Sequence, residues 1–180
     1  MGHRRVAFLV SIGATVAAGA LLPQAVLSSS GTSAAARLAA FDSDLLAEIN
    51  AARAAAGLAP LAASRQLAAA AAQHSGEMLA DGYFGHDSAD GAPFWKRIAA
   101  FYPPARSRSW SVGENLLAAG PSLDAHDALA MWMASPPHRE NLLSPGWRAA
   151  GIAAASSSDP GGALGDAPVV VVTADFAARA

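Results

Sequence analysis

Cysteine is missing from all 180 residues, and that absence removes several protein classes. It leaves no disulfide framework, no thiolate zinc site, no Cys nucleophile and no lipid-modified Cys anchor. Lysine is nearly absent too, one against eleven arginines, and charged residues of both signs make up only 14% of the chain. A formal net charge of −2 with a pI near 6.2 gives no basic footprint for a nucleic acid or an anionic membrane. GxxxxGK, GxGxxG, HExxH and GxSxG do not occur. Phosphate-cradling loops, zincin proteases and nucleophile-elbow hydrolases are therefore excluded.

What the chain has in abundance is alanine, 48 residues of it, within an apolar fraction of 53%. Low charge and high apolar content argue against disorder of the whole chain. Stability must come from an ordinary core, and about 140 folded residues suffice to bury roughly two thirds of their unfolded surface.

Residues 1–36 do not read as part of that core. His3, Arg4 and Arg5 make a basic start, Val6 to Leu22 carry no charge, and Pro23, a Ser/Thr/Gly stretch and Ala34-Ala35-Ala36 follow. This is the layout of a cleavable export signal with a low-complexity spacer, and it predicts a secreted, periplasmic or extracellular protein. An uncleaved N-terminal anchor is the alternative, although the apolar run falls short of the roughly 20 residues a spanning helix needs. Arg4-Arg5 also resembles a twin-arginine start. Loss of the signal removes two basic side chains, so the mature chain carries 10 − 14 = −4.

Residues 37–180 read as one folded domain. Phe41, Leu45, Ile49, Ala52 and Ala56 recur at helical spacing up to Gly57. Ser64 is placed to cap a second helix, Arg65 to about Ala80, with Leu67, Ala71, His74 and Met78 on one stripe. A third runs from Pro93 to Tyr102, and Ser122 is placed to cap a fourth that carries Leu129, Trp132 and Met133. Strands are expected only in the last third, at Trp147 to Ala155 and at Val169 to Phe176, whose four valines suit burial on both faces. Helices first and strands last predict an α+β fold, a small and mainly antiparallel sheet packed against helices.

Three polar islands stand out in these apolar surroundings: Phe84-Gly85-His86-Asp87, Gly113-Glu114-Asn115, and Ser135-Pro136-Pro137-His138-Arg139-Glu140-Asn141. Two imidazoles and a carboxylate can form a zinc shell with water in the fourth position. Without metal they can do general acid–base work. Each residue also has a plainer role. His86 can be a surface turn residue, Glu114 a turn cap or salt-bridge partner, and His138 a buried, hydrogen-bonded side chain. Ser135 is best placed as an N-cap with Pro136 at the first helical position. His74 reads as core, and Asn50, Arg53, Arg139 and Asn141 as polar contacts at buried helix ends. Trp132 and Trp147 are core candidates, and His126 lies on the solvent side. Asp175 shares a strand face with Val171 and Thr173.

In this order and spacing the islands resemble the bacterial branch of the CAP superfamily, named for cysteine-rich secretory proteins, antigen 5 and plant pathogenesis-related class 1 proteins. Asn50 and Arg53, the Gly57-Leu58-Ala59-Pro60-Leu61 connector, Leu67 with His74, and Val171 to Phe176 extend the likeness from about Leu45 to Phe176. The resemblance implies an α-β-α sandwich with a central cleft. Eukaryotic members place two His and two Glu there, able to hold a divalent cation such as zinc. His86 matches the first His and Glu114 a Glu. The other two positions fall near Ser135 and Val171 and lack the ligand, with His138 as the bacterial replacement. The implied cleft residues are thus His86, Glu114 and His138, with His86 and His138 as metal ligands and Glu114 nearby. An unidentified small molecule, lipid or wall-related compound is the expected partner, and nucleic acid is not. Three functions compete: cleft binding without turnover, a hydrolase using metal-bound water or acid–base chemistry on a peptide or cell-wall substrate, and an interaction module with a vestigial cleft.

Overall fold

The computed structural model describes residues 29–180. The charged start and apolar run of the expected export signal lie outside them. The first helix, α1 (Ser29–Ala55), begins a dozen residues before the periodicity at Phe41. Residues 34–36, 39 and 40 are alanines, the residue with the best intrinsic helix propensity, so the tail of the expected spacer is helical. The helix gives way at Gly57, which adopts φ +73°. Leu45 and Ile49 are fully buried. Asn50 and Arg53 hold the connector, Asn50 through both directions of a bond pair with Leu61 and Arg53 by donating to the carbonyls of Ala59 and Leu142.

After a two-residue strand β1 (Ala62–Ala63), α2 (Arg65–Asp81) starts where Ser64 Oγ accepts from the Leu67 N–H. It stops at left-handed Gly82. A loop leads to α3 (Phe94–Phe101). Then comes a ten-residue strand, β2 (Trp110–Ala119), where no strand was expected. Its Gly, Glu and Asn read as a polar island. Ten residues of antiparallel pairing with the last strand override that weak local preference.

Helix α4 (Ala125–Ala134) is capped by Asp124, whose carboxylate accepts from the Asp127 N–H, and not by Ser122. Helix α5 (Pro136–Leu142) follows at once. Ser135 does stand at its N-cap with Pro136 next, but its hydroxyl makes no capping bond. Strands β3 (Ala149–Ser157) and β4 (Val169–Arg179) close the chain, a short 3₁₀ turn at Gly162–Leu164 between them.

The sheet order is β1-β3-β4-β2, with β1 parallel to β3 and the other pairs antiparallel. Central β4 is buried from Val169 to Ala177. Its even-numbered residues, Val170, Val172, Ala174 and Phe176, pack with Leu45, Ile49, Trp132 and Leu142 of α1, α4 and α5. Odd-numbered Val169 and Val171 face the other way, against Met78 of α2 and Leu116. The result is an α-β-α sandwich, as the resemblance implies. Alternation along a strand therefore puts Thr173 and Asp175 in the layer of α2 and α3.

Candidate functional site

Register creates the site. In the β2–β4 pairing Glu114 lies directly opposite Asp175, so two carboxylates sit side by side under α2 and α3. Like charges in such cross-strand positions repel. Arg97 of α3 answers them: its Nη2 donates to Glu114 Oε2 and lies 3.7 Å from Asp175 Oδ1. The three side chains are 2% exposed or less. Burial chiefly, with the Glu114 charge adding to it, pushes the Asp175 carboxyl well above the ordinary carboxylate range, against the pull of Arg97. Among the described residues neither Asp175 oxygen has a donor within reach. Protonation turns one of them into a donor itself, which suits a position opposite Glu114.

The second oxygen of Glu114 is also engaged. His86, on the loop between α2 and α3, donates from Nδ1 to Oε1 at 2.7 Å. This bond first of all raises the imidazole's pKa, and burial opposes it. With Nδ1 so occupied and the side chain 51% exposed, Nε2 is the ring nitrogen left to meet a ligand. Phe94 packs on the ring, centroids 6.2 Å apart.

Buried side chains pin the loop that carries His86. His74, fully buried on α2, donates from Nε2 to the Gly85 carbonyl at 2.8 Å, and its Nδ1 accepts from the Tyr83 hydroxyl at 3.4 Å. That assigns its tautomer from the network. Burial lowers its pKa, so it stays neutral 4.0 Å from Glu114 Oε2. Arg97 Nη1 donates to the His86 carbonyl at 3.4 Å. The core role read for His74 is thus combined with support of the His86 loop.

His138 lies in the other layer, on α5. Strand β2 is at the sheet edge, and α5 packs along it. Asn115 donates to the His138 carbonyl, Asn141 to the Glu114 carbonyl and to Asn115 Oδ1, and Trp132 Nε1 to the Leu116 carbonyl. Gly113 is required here, because a Cβ would stand 2.7 Å from the Trp147 ring. The His138 pKa is lowered by burial first and by the charge of His86 second. His126 is on solvent, its side chain 79% exposed.

The implied metal can be tested against these donors, and they do not fit it. One Glu114 oxygen accepts from His86 Nδ1 and the other from a guanidinium. Among the described residues no group of three or more His, Asp or Glu side chains is arranged to hold a metal ion. Sequence reading missed Arg97, although it lies three residues after Phe94 and four before Phe101, on the inward stripe of its helix. It reached Asp175 only through strand alternation.

The fold is a three-layer sandwich, and against its sheet stands the hydrogen-bonded His86–Glu114 pair. Residues 46–176 match CAP, the cysteine-rich secretory protein family, and the chain belongs to that family. Among solved structures it resembles an extracellular protein containing an SCP domain from Bacillus anthracis, at 24% identity and TM-score 0.62, over 88% of this chain and 44% of that one. It also resembles an outer surface protein from Borrelia burgdorferi, at 18% identity and TM-score 0.63, over 77% and 92%. A cysteine-rich secretory protein from Staphylococcus aureus aligns at 18% identity and TM-score 0.54, over 76% and 37%. This chain thus spans less than half of the Bacillus and Staphylococcus proteins. The curated proteins give no match.

Proposed function

We propose that this is an exported CAP module whose cleft, formed by His86, Glu114 and His138, binds an organic ligand through imidazole hydrogen bonds and does not turn it over. The observation that carries this reading is the commitment of both Glu114 oxygens. One fixes the His86 tautomer and the other is ion-paired with buried Arg97, so Glu114 is not available as a solvent-facing acid or base. Asp175, the second carboxylate, is fully buried beneath it. The cleft therefore offers His86 Nε2, a neutral His138 and the Phe94 ring, a recognition surface for a small molecule, lipid or wall-derived compound. The basic start and uncharged run of residues 3–22 support export, as do the extracellular and outer-surface descriptions of the similar bacterial proteins.

One observation favours a second reading. A carboxylate bonded to Nδ1 of an imidazole is also how a general base is oriented, and a hydrolase would use His86 in that way. Incubating the folded domain with soluble peptidoglycan fragments and, separately, with phospholipid micelles separates the two. Binding is expected as ring-nitrogen NMR shifts at His86 and His138 with the probe recovered intact, and His86→Ala should abolish it. Product formation lost in both His86→Ala and Glu114→Gln would establish the hydrolase instead. Shifts that never reach the two histidines would leave the cleft vestigial.

A further inference from the structure

A metal in this cleft would have to share the Glu114 carboxylate with a cation that the chain already supplies. Arg97 comes from α3, which Ile98, fully buried next to it, anchors in the core. Its side chain is 2% exposed, and a buried charge of that kind is tolerated only when paired and hydrogen-bonded. The pairing uses its geometry. A planar fork with several donors can serve acceptors at different angles, which an ammonium cannot do equally well.

We propose that Arg97 is the resident cation and the positioning residue of the cleft, gripping the Glu114 carboxylate through Nη2 and the His86 main-chain carbonyl through Nη1, so that the His86–Glu114 pair is assembled without a divalent ion. The inference rests on reading that pair as the ligand site. Two further observations support it. Asp175 lies 3.7 Å from the same guanidinium nitrogen, so one arginine stands beside both carboxylates that the β2–β4 register places opposite each other. His74, the other ionisable group facing Glu114 from the helix layer, has its Nε2–H on the Gly85 carbonyl. The loop carrying His86 is then held at Gly85 by α2 and at His86 by α3, and each hold is made by a buried side chain.

The test uses the folded protein with 15N-labelled histidine and follows the His86 ring in its neutral form, for wild type, Arg97→Lys and Arg97→Met, with and without excess zinc or cobalt. In wild type the Nδ1–H tautomer is expected to dominate by about tenfold or more, the weight of one hydrogen bond to a charged acceptor. Zinc should leave the His86 signals unmoved, and cobalt should develop no ligand-field absorption. In Arg97→Met that preference should fall toward parity. Arg97→Lys retains the charge but serves one acceptor well, so it should lie between the two. A wild-type cleft that takes cobalt with displacement of the His86 signals overturns the proposal. So does a wild-type tautomer ratio retained in Arg97→Met or, if that variant does not fold, in Arg97→Lys. The cleft reading fails separately: a probe that still binds His86→Ala would sink it and leave the Arg97 result in place.

Discussion

Glu114 Oε1 lies 2.7 Å from His86 Nδ1, and Nδ1 can donate there in the neutral or the charged ring. The charged ring gains more from a carboxylate, which is why the His86 pKa rises above its ordinary 6.5 while burial lowers that of His138 and His74. The consequence for stability has a definite sign. A histidine whose folded pKa exceeds its unfolded one contributes fully below about pH 6.5, and the contribution fades as pH rises through the folded value. Half the His86 side chain is exposed, so solvent screens the gain. In an NMR titration His86 should have the highest midpoint of the three, above 6.5, and Glu114→Gln should bring it down. A wild-type midpoint for His86 below that of His138 would show that the pair does not exist in solution.

At the scale of elements, the contact of α2 with β3 controls the α2 layer. Gly151 of β3 faces that helix, and a Cβ placed there would lie 2.0 Å from the Ala68 nitrogen and 2.2 Å from the Leu67 carbonyl carbon. Both are backbone atoms, so no rotamer change relieves the clash. Helix α2 must lift, carrying with it His74 and the Ser75 hydroxyl, which donates to the Ala153 carbonyl. Gly151→Ala is accordingly expected to destabilise the fold by about 1–3 kcal/mol, the range for overpacked cores, as measured by denaturant unfolding. Lifting α2 also loosens the hold of His74 on Gly85, so the His86 signal should broaden in the same variant. An unchanged midpoint would mean that the helix sits farther from the sheet than described.

For the molecule as a whole, the proposed export predicts a shortened N-terminus. The exported protein should have lost roughly 25–36 residues. The structure adds a constraint, since α1 already starts at Ser29 and, among its described side chains, the first fully buried one is Leu45. Removal of up to 36 residues would shorten a helix at its exposed end and leave the sheet intact. Intact mass spectrometry of the extracellular form should therefore show a truncated chain with an unchanged melting temperature relative to the same domain expressed from residue 37. An extracellular form that retains Met1 or Gly2 would reject the signal. Among the described residues no helix is long and apolar enough to cross a membrane.

Much of the architecture was legible because its signals are local. Apolar spacing located four helices, although α1 begins a dozen residues before its periodicity, Ser64 and Gly82 bounded α2, and the valine run marked the central strand. Of the residues in the three islands, His86 and Glu114 are hydrogen-bonded to each other. Strand β2 was not legible. Its residues have weak strand preference, and they are extended because β4 pairs with them along their full length. The N-cap of α4 moved from Ser122 to Asp124 for a similar reason, since either side chain can cap and only the chain path after β2 chooses between them. The role of Arg97 lay furthest from view. A lone arginine in Phe-Trp-Lys-Arg-Ile reads as a solvated charge until the sheet register sets Glu114 opposite Asp175. Local preference and periodicity act within a few residues of sequence and so belong to the sequence alone. The placing of one guanidinium beside two buried carboxyl groups depends on residues 17 and 78 apart along the chain, Arg97 from Glu114 and from Asp175, and only the packed tertiary structure brings them together.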